Sequence, residues 1–306
     1  MLRILLRRLT WMLLTLALVA TITFFLTFLL PRDVARTIAG DKASDADVAL
    51  VRAELGLNDS LPVQYGRYMA GLARLDFGYS YVNREPVSDI LAQRLPRTMM
   101  LAIVAITFQL VVGIVLGLAT ASRAGGVLDR TTLGWAVLTI SLPTFWLGLI
   151  LLYVFAFQLA LLPLGGADSI SSIVLPSITL GIAGAAWYSR VVRQAASEAL
   201  GSEFVHQLRA KGLPRRTILY KHVLRTSLSP VLTMMAIDFG FFLGGAVLVE
   251  SVYSWPGLGL ASYQAMQTGD TPLLMGCVLV GSAFVLVLNL AADLARTMID
   301  PRVRLD

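Results

Sequence analysis

Charge is scarce in this chain, and cysteine is almost absent. Only 14% of its 306 residues are charged, whereas a water-soluble protein carries about 25%. The single cysteine, Cys277, excludes an intramolecular disulfide framework and a cysteine-based metal cluster. The two histidines, His206 and His222, have no acidic or thiol cluster in register, so no metal site is predicted. No G-x-x-x-x-G-K-[ST] phosphate loop occurs, so the sequence offers no cradle for the phosphates of ATP.

The chain contains instead six long apolar stretches with almost no charge. They lie between Arg8 and Arg32, Arg97 and Arg123, Arg130 and Asp168, Asp168 and Arg190, Thr226 and Val249, and Asp270 and Asp293. A helix rises about 1.5 Å per residue and needs ~20 apolar residues to cross a hydrocarbon core of ~30 Å. All six stretches are long enough, and a mean hydropathy of +0.74 agrees. The sequence therefore predicts an all-α, polytopic membrane protein with six transmembrane helices.

The N-terminal apolar run imitates a secretory signal peptide. It continues through Leu30, beyond the ~7–15 residues of a signal core, and no small-x-small cleavage site follows at Pro31 to Asp33. We therefore expect it to be retained as the first span.

Basic residues fall in alternate loops. The segment from Arg190 to Arg225 holds eight Lys or Arg residues against two acidic ones, whereas the loop from Glu250 to Asp270 holds no Lys or Arg. Short cytoplasmic loops collect Lys and Arg, so both termini are predicted to face the cytoplasm. The same distribution explains the net charge of +6 without a nucleic-acid partner.

These predictions divide the chain by membrane topology. The predicted segments are a tail with the first span (1–30), an extracytoplasmic loop (31–96), a five-helix core (97–296) containing a cytoplasmic loop (193–228), and a cytoplasmic tail (297–306). The extracytoplasmic loop is expected to be ordered, with three amphipathic helices at the membrane interface: Asp45–Leu55 behind Ser44 as N-cap, Val63–Leu75, and Pro86–Arg94. Packing over the outer mouth is favoured over a substrate role for this loop. The glycines of a GxxxG motif, Gly113 and Gly117, are expected to pack helices within the bundle rather than between subunits.

The cytoplasmic loop has the most specific pattern. Ser202 can cap a short helix, Phe204 and Leu208 form its apolar edge, and Gly212 supplies a left-handed stop before Pro214. A second helix is expected from Pro214 until Pro230 opens the next span. Such a basic helix could adhere to anionic lipid, but its scattered charges favour docking in a groove of a soluble partner.

This loop resembles that of a known family. RAKGLPRRTILYKHVLRTSLSPVL is similar to the cytoplasmic EAA loop of bacterial ABC-importer permeases, in the branch serving di- and oligopeptide uptake. The segments LRILLRRL, LGLNDSLPVQYGRYMAGLARLDFGYS, RLPRTMMLA, ESVYSWPGLG and IDPRVR fit the same branch in the same order. One departure is that His206, Gln207 and Leu208 stand where the general motif has Glu-Ala-Ala.

The resemblance implies a non-catalytic inner-membrane subunit that forms half of a translocation pore. Its expected partners are a second homologous permease, two ATPase subunits that bind ATP and Mg²⁺, an extracytoplasmic substrate-binding protein and membrane lipid. It implies ATPase contact through a coupling helix made of Glu203, Phe204, Gln207, Leu208, Arg209, Ala210, Lys211 and Gly212. Haem, a nickel chelate or glutathione are alternative cargoes. A secondary transporter, expected to show inverted repeats and paired intramembrane charges, and an intramembrane enzyme fit less well.

Polar residues inside the spans are further candidates, because they are costly at bilayer depth. Gln109, Asp238 and Asn289 are candidates for the translocation path, with hydrogen bonding between helices as the alternative. Asp293 is expected to be structural. ESVYSWPGLG is expected to form an extracytoplasmic turn through Glu250, Tyr253, Trp255, Pro256, Gly257 and Gly259. The proline and glycines would reverse the chain, and the aromatic rings would anchor the membrane interface rather than touch substrate.

Overall fold

The computed structural model describes residues 2–29, 34–40 and 42–299, and its regular structure is helical. The α-helices are α1 (Leu2–Leu29), α2 (Val34–Ala39), α3 (Asp45–Glu54), α4 (Leu61–Ala73), α5 (Val87–Ala121), α6 (Val127–Ser141), α7 (Thr144–Leu151), α8 (Val174–Leu200), α9 (Glu203–Ala210), α10 (Arg215–Thr217), α11 (Leu224–Val252), α12 (Leu258–Thr268) and α13 (Thr271–Ile299). Leu152–Gln158 and Ile218–Val223 are π-helical, and Ile170–Ile173 is a 3-10 helix. The all-α prediction is confirmed. The side chain of Asp293 lies outside the described residues.

Most of the predicted spans lie on single long helices. In the described part of the chain four helical segments are long and apolar enough to cross a membrane: Leu6–Thr27, Val87–Ala121, Ile170–Leu200 and Thr271–Ala291. The predicted fifth run, interrupted only by Asp238, lies within α11, whose 29 residues also exceed the length that a bilayer core requires.

The third predicted span is not one straight helix. α6 and α7 together pass the same test, but the two helices meet at a bend of 109°. Pro143 stands at the break as the N-cap of α7, and Leu142 before it is extended (φ −88°, ψ 135°). Proline pushes its predecessor out of the helical region, so the apolar run continues while the helix does not.

Two other prolines lie inside helices. Pro230 lies within α11, so the predicted start of a span at Pro230 is wrong, and Pro96 lies within α5, which continues past it. The predicted interfacial helix Pro86–Arg94 is therefore the first part of α5. An interior proline removes one helical hydrogen bond, yet both helices continue through it.

One compact unit is formed by Met1–Thr98 and Pro256–Val287. Its core contains Val87, Leu91, Leu258 and Leu273. The predicted Ser44 cap of α3 is confirmed as a capping box, in which Asp47 N donates to Ser44 Oγ (3.2 Å) and Ser44 N donates to Asp47 Oδ2 (3.1 Å). The loop predicted to be extracytoplasmic thus contains an ordered helix with a specific cap.

Two further groups of contacts hold this loop to α1 and to the start of α13 in the same unit. Thr21 on α1 shares a hydrogen bond with the Tyr65 hydroxyl (2.9 Å), and the Phe24 ring packs on the rings of Tyr65 and Tyr68 at 5.3 and 5.6 Å. The buried carboxylate of Asp270, just before α13, accepts a hydrogen bond from Ser80 Oγ (2.5 Å). It also accepts from the backbone N–H groups of residues 81 and 82, at 3.3 Å each.

The other compact unit is formed by Met99–Trp255 and Leu288–Asp306. Within it, α5 packs closely on α8. A Cβ added to Gly113 would lie 2.6 Å from Tyr188 Cβ, and one added to Gly117 would lie 2.6 Å from Val192 Cβ. The prediction that the GxxxG glycines pack helices within the bundle is confirmed. The predicted boundaries after residues 30, 96 and 296 concern topology and stay a prediction.

Candidate functional site

The loop predicted to be cytoplasmic folds around the short helix α9. Ser202 occupies the N-cap position, but its hydroxyl donates backwards to the carbonyl of Ala199 (2.6 Å), so the predicted side-chain cap is wrong. Gly212 has φ +77° and ends the helix as predicted. Its N–H donates to Arg209 O (2.9 Å), and the N–H of Leu213 donates to Leu208 O (3.2 Å). A left-handed residue that satisfies carbonyls in this way is the usual end of a helix.

Val205 anchors α9 to the rest of its unit. Its side chain is only 1% exposed and belongs to a cluster with Leu118, Ile218 and Val223. The sequence predicts Phe204 and Leu208 as the apolar edge, because their spacing is one helical turn. Leu208 does pack against this cluster, whereas Phe204 is exposed. The helix is thus held along one line while the rest of its circumference stays accessible.

Most of the predicted coupling residues lie on that accessible surface. Leu208 is half-buried, and the other members of the set are exposed: Glu203, Phe204, Gln207, Arg209, Ala210, Lys211 and Gly212. The Phe204 side chain is 52% exposed and touches the His222 ring edge-on at 5.8 Å. An exposed aromatic ring flanked by one acid, one amide and two cations is suited to a protein partner.

Two polar side chains, those of Asp129 and Arg215, hold the neighbouring loop between α5 and α6 in place. Asp129 accepts two hydrogen bonds from Arg193 on α8, Nε to Oδ1 at 2.5 Å and a terminal nitrogen to Oδ2 at 2.7 Å. The N–H of Gly125 donates to the same carboxylate at 2.8 Å, and Arg215 donates to Ser122 O at 2.6 Å. These contacts are not predicted from the sequence. Their one signal is that Asp129 is the only acid between Arg123 and Arg130.

A polar cluster lies where α5, α8 and α11 meet. Gln109 is 2% exposed, and its amide donates to Asp238 Oδ2 at 2.5 Å. The Tyr188 hydroxyl lies beside both side chains but without hydrogen-bond geometry. Gly184 makes room, since a Cβ there would come within 1.8 Å of Gln109 Oε1. Two of the three path candidates are thus paired, and no hydrogen bond in the described part of the chain joins the half-buried Asn289 to them.

The predicted extracytoplasmic turn follows α11, and its aromatic residues are buried in protein. The Tyr253 hydroxyl donates to Gly148 O (2.9 Å) and shares a hydrogen bond with Thr179 (2.8 Å). The Trp255 side chain is 1% exposed and packs with Leu101. The expectation that these rings sit at the membrane interface is therefore wrong, because contacts with distant helices bury them.

The chain reversal in this turn also differs from the expectation. Ser254, at φ +49°, adopts the left-handed conformation, and the Trp255 N–H closes the turn on Glu250 O (2.8 Å). Gly257 is extended at the N-cap of α12, with Pro256 before it, and Gly259 lies buried inside that helix. A short polar residue is tolerated in the left-handed region when its surroundings fix the turn.

Comparison with known proteins agrees with this architecture. The family described as "Binding-protein-dependent transport system inner membrane component" matches residues 113–305, and the N-terminal family of such membrane components matches residues 1–102. The glutathione transport system permease protein GsiC of Salmonella paratyphi A is 39% identical over 304 residues, covering 99% of both chains. That of Escherichia coli K12 is 37% identical over the same length and share.

The fold is also that of a solved transporter subunit. Two inward-facing crystal forms of the MetNI methionine ABC transporter superpose with TM-scores of 0.57 and 0.53, at 20% and 22% identity. They cover 69% and 70% of this chain and 96% and 94% of theirs. The chain therefore belongs to the family of binding-protein-dependent transport system inner membrane components, the permease subunits of ABC importers.

Proposed function

We propose that this chain forms half of the translocation pore of an ATP-driven importer for di- or oligopeptides, glutathione included. In this proposal α9 transmits the movement of a separate ATPase subunit to the membrane helices. The observation that carries it is the arrangement of α9, which is buried at Val205 and exposed at Glu203, Phe204, Gln207 and the residues 209–212. A helix that packs against the bundle on one side can transmit to the bundle a force applied to its exposed side.

The contacts behind α9 support a mechanical role. Val205 belongs to one buried cluster with Ile218 and Val223, which lead directly into α11, and with Leu118 near the end of α5. Arg215 joins the same region to the carbonyl of Ser122. Displacing α9 would therefore shift the cytoplasmic ends of α5 and α11, the two helices that carry Gln109 and Asp238. We propose that this polar pair lies on the path of the substrate.

The sequence has no ATP-binding motif, so the proposed partners include subunits that would bind ATP. The sequence contains no phosphate loop, so ATP and Mg²⁺ would be bound by two separate ATPase subunits. The family's dependence on a binding protein supports an extracytoplasmic receptor. A second, homologous permease would supply the other half of the pore. The chain itself would carry out no covalent chemistry.

The peptide class of cargo is supported by relatives along almost the whole chain. The permeases that match at 37–39% identity are named for glutathione, a tripeptide. No residue described above favours haem or a nickel chelate over a peptide. Uptake of labelled glutathione and of labelled dipeptides into vesicles with the purified system would separate these cargoes.

Site-specific photocrosslinking tests the coupling role. A photoreactive amino acid at Gln207 or Arg209, both exposed on α9, is expected to form an ATPase adduct in membranes containing the whole transporter. Gln93, exposed at the opposite predicted side of the membrane, is the matched control and should form none. If Gln207 and Arg209 label phospholipid and never an ATPase, the proposed coupling role is wrong.

A further inference from the structure

A groove beside α9 has no part in the proposed substrate pathway. Its volume is about 570 Å³, within the ~300–1,000 Å³ range of ligand sites. Its walls come from the end of α5 and the loop after it, from the last residue of α8, from α9 and from the segment that follows α9. All of these residues belong to the unit that contains Met99–Trp255. We call this cavity the α9 groove.

The floor of the α9 groove is apolar. Ala121 and Ile218 are buried there, and Leu200, Leu213 and Leu219 are half-buried. The three leucines pack against the same buried cluster that anchors α9. The floor is therefore fixed to the helical bundle and offers a surface on which an apolar side chain of a partner can pack.

The rim of the groove carries two guanidinium groups. Arg209 and Arg215 are both exposed, and none of the described residues that line the groove is acidic. Within the described part of the chain Arg209 has no hydrogen-bond or ion-pair partner. Arg215 donates from one nitrogen to Ser122 O at 2.6 Å. A guanidinium has five N–H groups, so most donors of Arg215 stay available.

The acids nearest along the chain do not neutralise these two cations. Glu198 accepts a hydrogen bond from Gln194 (3.2 Å), and Asp129 pairs with Arg193. Glu203, in the first turn of α9, is exposed and forms no ion pair with any residue that the structure describes. The planar fork of an arginine side chain matches a carboxylate or a phosphate, so the rim is suited to an anionic group.

The position of the α9 groove favours a carboxylate supplied by a protein. Its exposed rim residues, Ala124, Arg209 and Arg215, lie beyond the ends of the spans Val87–Ala121 and Ile170–Leu200. Arg209 also belongs to the surface of α9 that is proposed to face the ATPase. The groove is larger than one side chain requires, which leaves room for an acidic residue together with an apolar neighbour.

We propose that the α9 groove receives an acidic side chain of the ATPase subunit, whose carboxylate binds Arg209 and Arg215 while an adjacent apolar side chain packs on Leu213 and Leu219. This inference rests on the proposed function, because it takes the ATPase as the partner of α9. Through Arg215 the contact would also connect the ATPase to Ser122 at the end of α5. The competing occupant is a phospholipid headgroup, since basic pockets at the cytoplasmic ends of spans bind lipids.

Equilibrium binding tests the proposal. A fluorescent ATPase subunit is titrated onto the permease complex in nanodiscs, and its Kd is measured. Arg209→Gln and Arg215→Gln should each weaken binding about tenfold, the effect of losing one hydrogen bond to a charged group. Arg216→Gln is the matched control, because Arg216 is exposed in the same segment and does not line the groove. Its Kd should stay within about twofold of wild type, since distant exposed charges are screened.

The thermal midpoint of each complex checks folding. Arg215→Gln loses the bond to Ser122 O, so a drop in its midpoint would reflect that contact. Arg209→Gln removes no polar contact within the described part of the chain, and its Kd decides the result in that case.

A zero-length crosslinker identifies the acidic partner. Lys211→Arg and Lys221→Arg remove the exposed lysines of the loop, and Arg209→Lys is then introduced. A carbodiimide should join the new amine to an Asp or Glu side chain of the ATPase through an amide bond, and mass spectrometry locates that bond. Arg216→Lys in the same background should give none.

Unchanged ATPase affinity in Arg209→Gln and Arg215→Gln would overturn the proposal. Loss of copurifying phospholipid from these variants with ATPase binding intact would also overturn it, because the groove would then be a lipid site. In both cases the coupling role stands if photoreactive Gln207 variants still label the ATPase. If they never do so, the proposed function is wrong, whatever the groove binds.

Discussion

At the residue scale, the ion pair of Asp129 and Arg193 joins the start of α6 to α8 through two hydrogen bonds. The Asp129 side chain is 3% exposed and that of Arg193 is 29% exposed. The carboxylate also accepts the N–H of Gly125, so one group fixes a loop and a helix together. Removing one partner of such a pair leaves a buried charge without compensation.

Asp129→Asn is therefore expected to destabilise the protein by about 3 kcal/mol, the lower end for a broken buried pair because Arg193 keeps some contact with water. Thermal unfolding of the purified complex measures the loss. Asp59→Asn breaks an exposed pair with Arg67 and serves as the control, expected to cost under about 1 kcal/mol. Equal losses of stability in the two variants would show that the burial of Asp129 does not strengthen its ion pair.

Asp238 allows the pathway role to be separated from a structural one. In Asp238→Asn the side-chain oxygen can still accept the hydrogen bond from Gln109, while the negative charge is lost. We expect normal assembly with reduced uptake. Asp238→Ala leaves the buried amide of Gln109 without its acceptor and should lower assembly as well. Uptake and subunit recovery are measured in parallel, and unchanged uptake in Asp238→Asn at normal assembly would exclude the pathway role.

At the scale of elements, prolines and glycines decide where the helices bend and how closely they pack. Pro143 breaks the helix between α6 and α7, yet Pro96 and Pro230 are accommodated inside helices. Hydropathy cannot distinguish these cases, because the apolar residues continue on both sides of each proline. The outcome depends on which neighbouring helices stabilise each side, and only the packed structure contains that information.

Gly117 gives a direct test of the packing between α5 and α8. In Gly117→Ala the new methyl group would lie 2.6 Å from Val192 Cβ and 2.8 Å from Ser189 O, so the helices must separate. Overpacking of this kind costs about 1–3 kcal/mol. Gly134→Ala on α6 meets nothing within 4 Å and should be neutral or stabilising by up to about 1 kcal/mol. The thermal midpoints of the two complexes measure the difference, and no drop for Gly117→Ala would contradict close packing.

At the scale of the whole molecule, local signals in the sequence predict the helical fold and the end of α9 but not the contacts between distant residues. Gly212 shows what is predictable, since a glycine before Leu-Pro ends a helix without help from other segments. The pairing of Gln109 with Asp238 joins residues 129 positions apart, and that of Asp129 with Arg193 joins residues 64 apart. Nothing in one sequence indicates which of many possible partners such residues meet. The burial of Tyr253 and Trp255 went unpredicted for the same reason.

The orientation of the whole chain in the membrane follows from loop charge and can be tested with single cysteines. Cys277 is buried, and Cys277→Ala gives a background without thiols. Val127, 80% exposed between Arg123 and Arg130, and Ile170, 92% exposed beside Asp168, are matched positions in loops of opposite charge. Cysteine at Ile170 should react with an impermeant maleimide in intact spheroplasts. Cysteine at Val127 should react only after permeabilisation, because basic loops stay in the cytoplasm. The reverse pattern would place α9 outside the cell, away from ATP, and would rule out coupling through it.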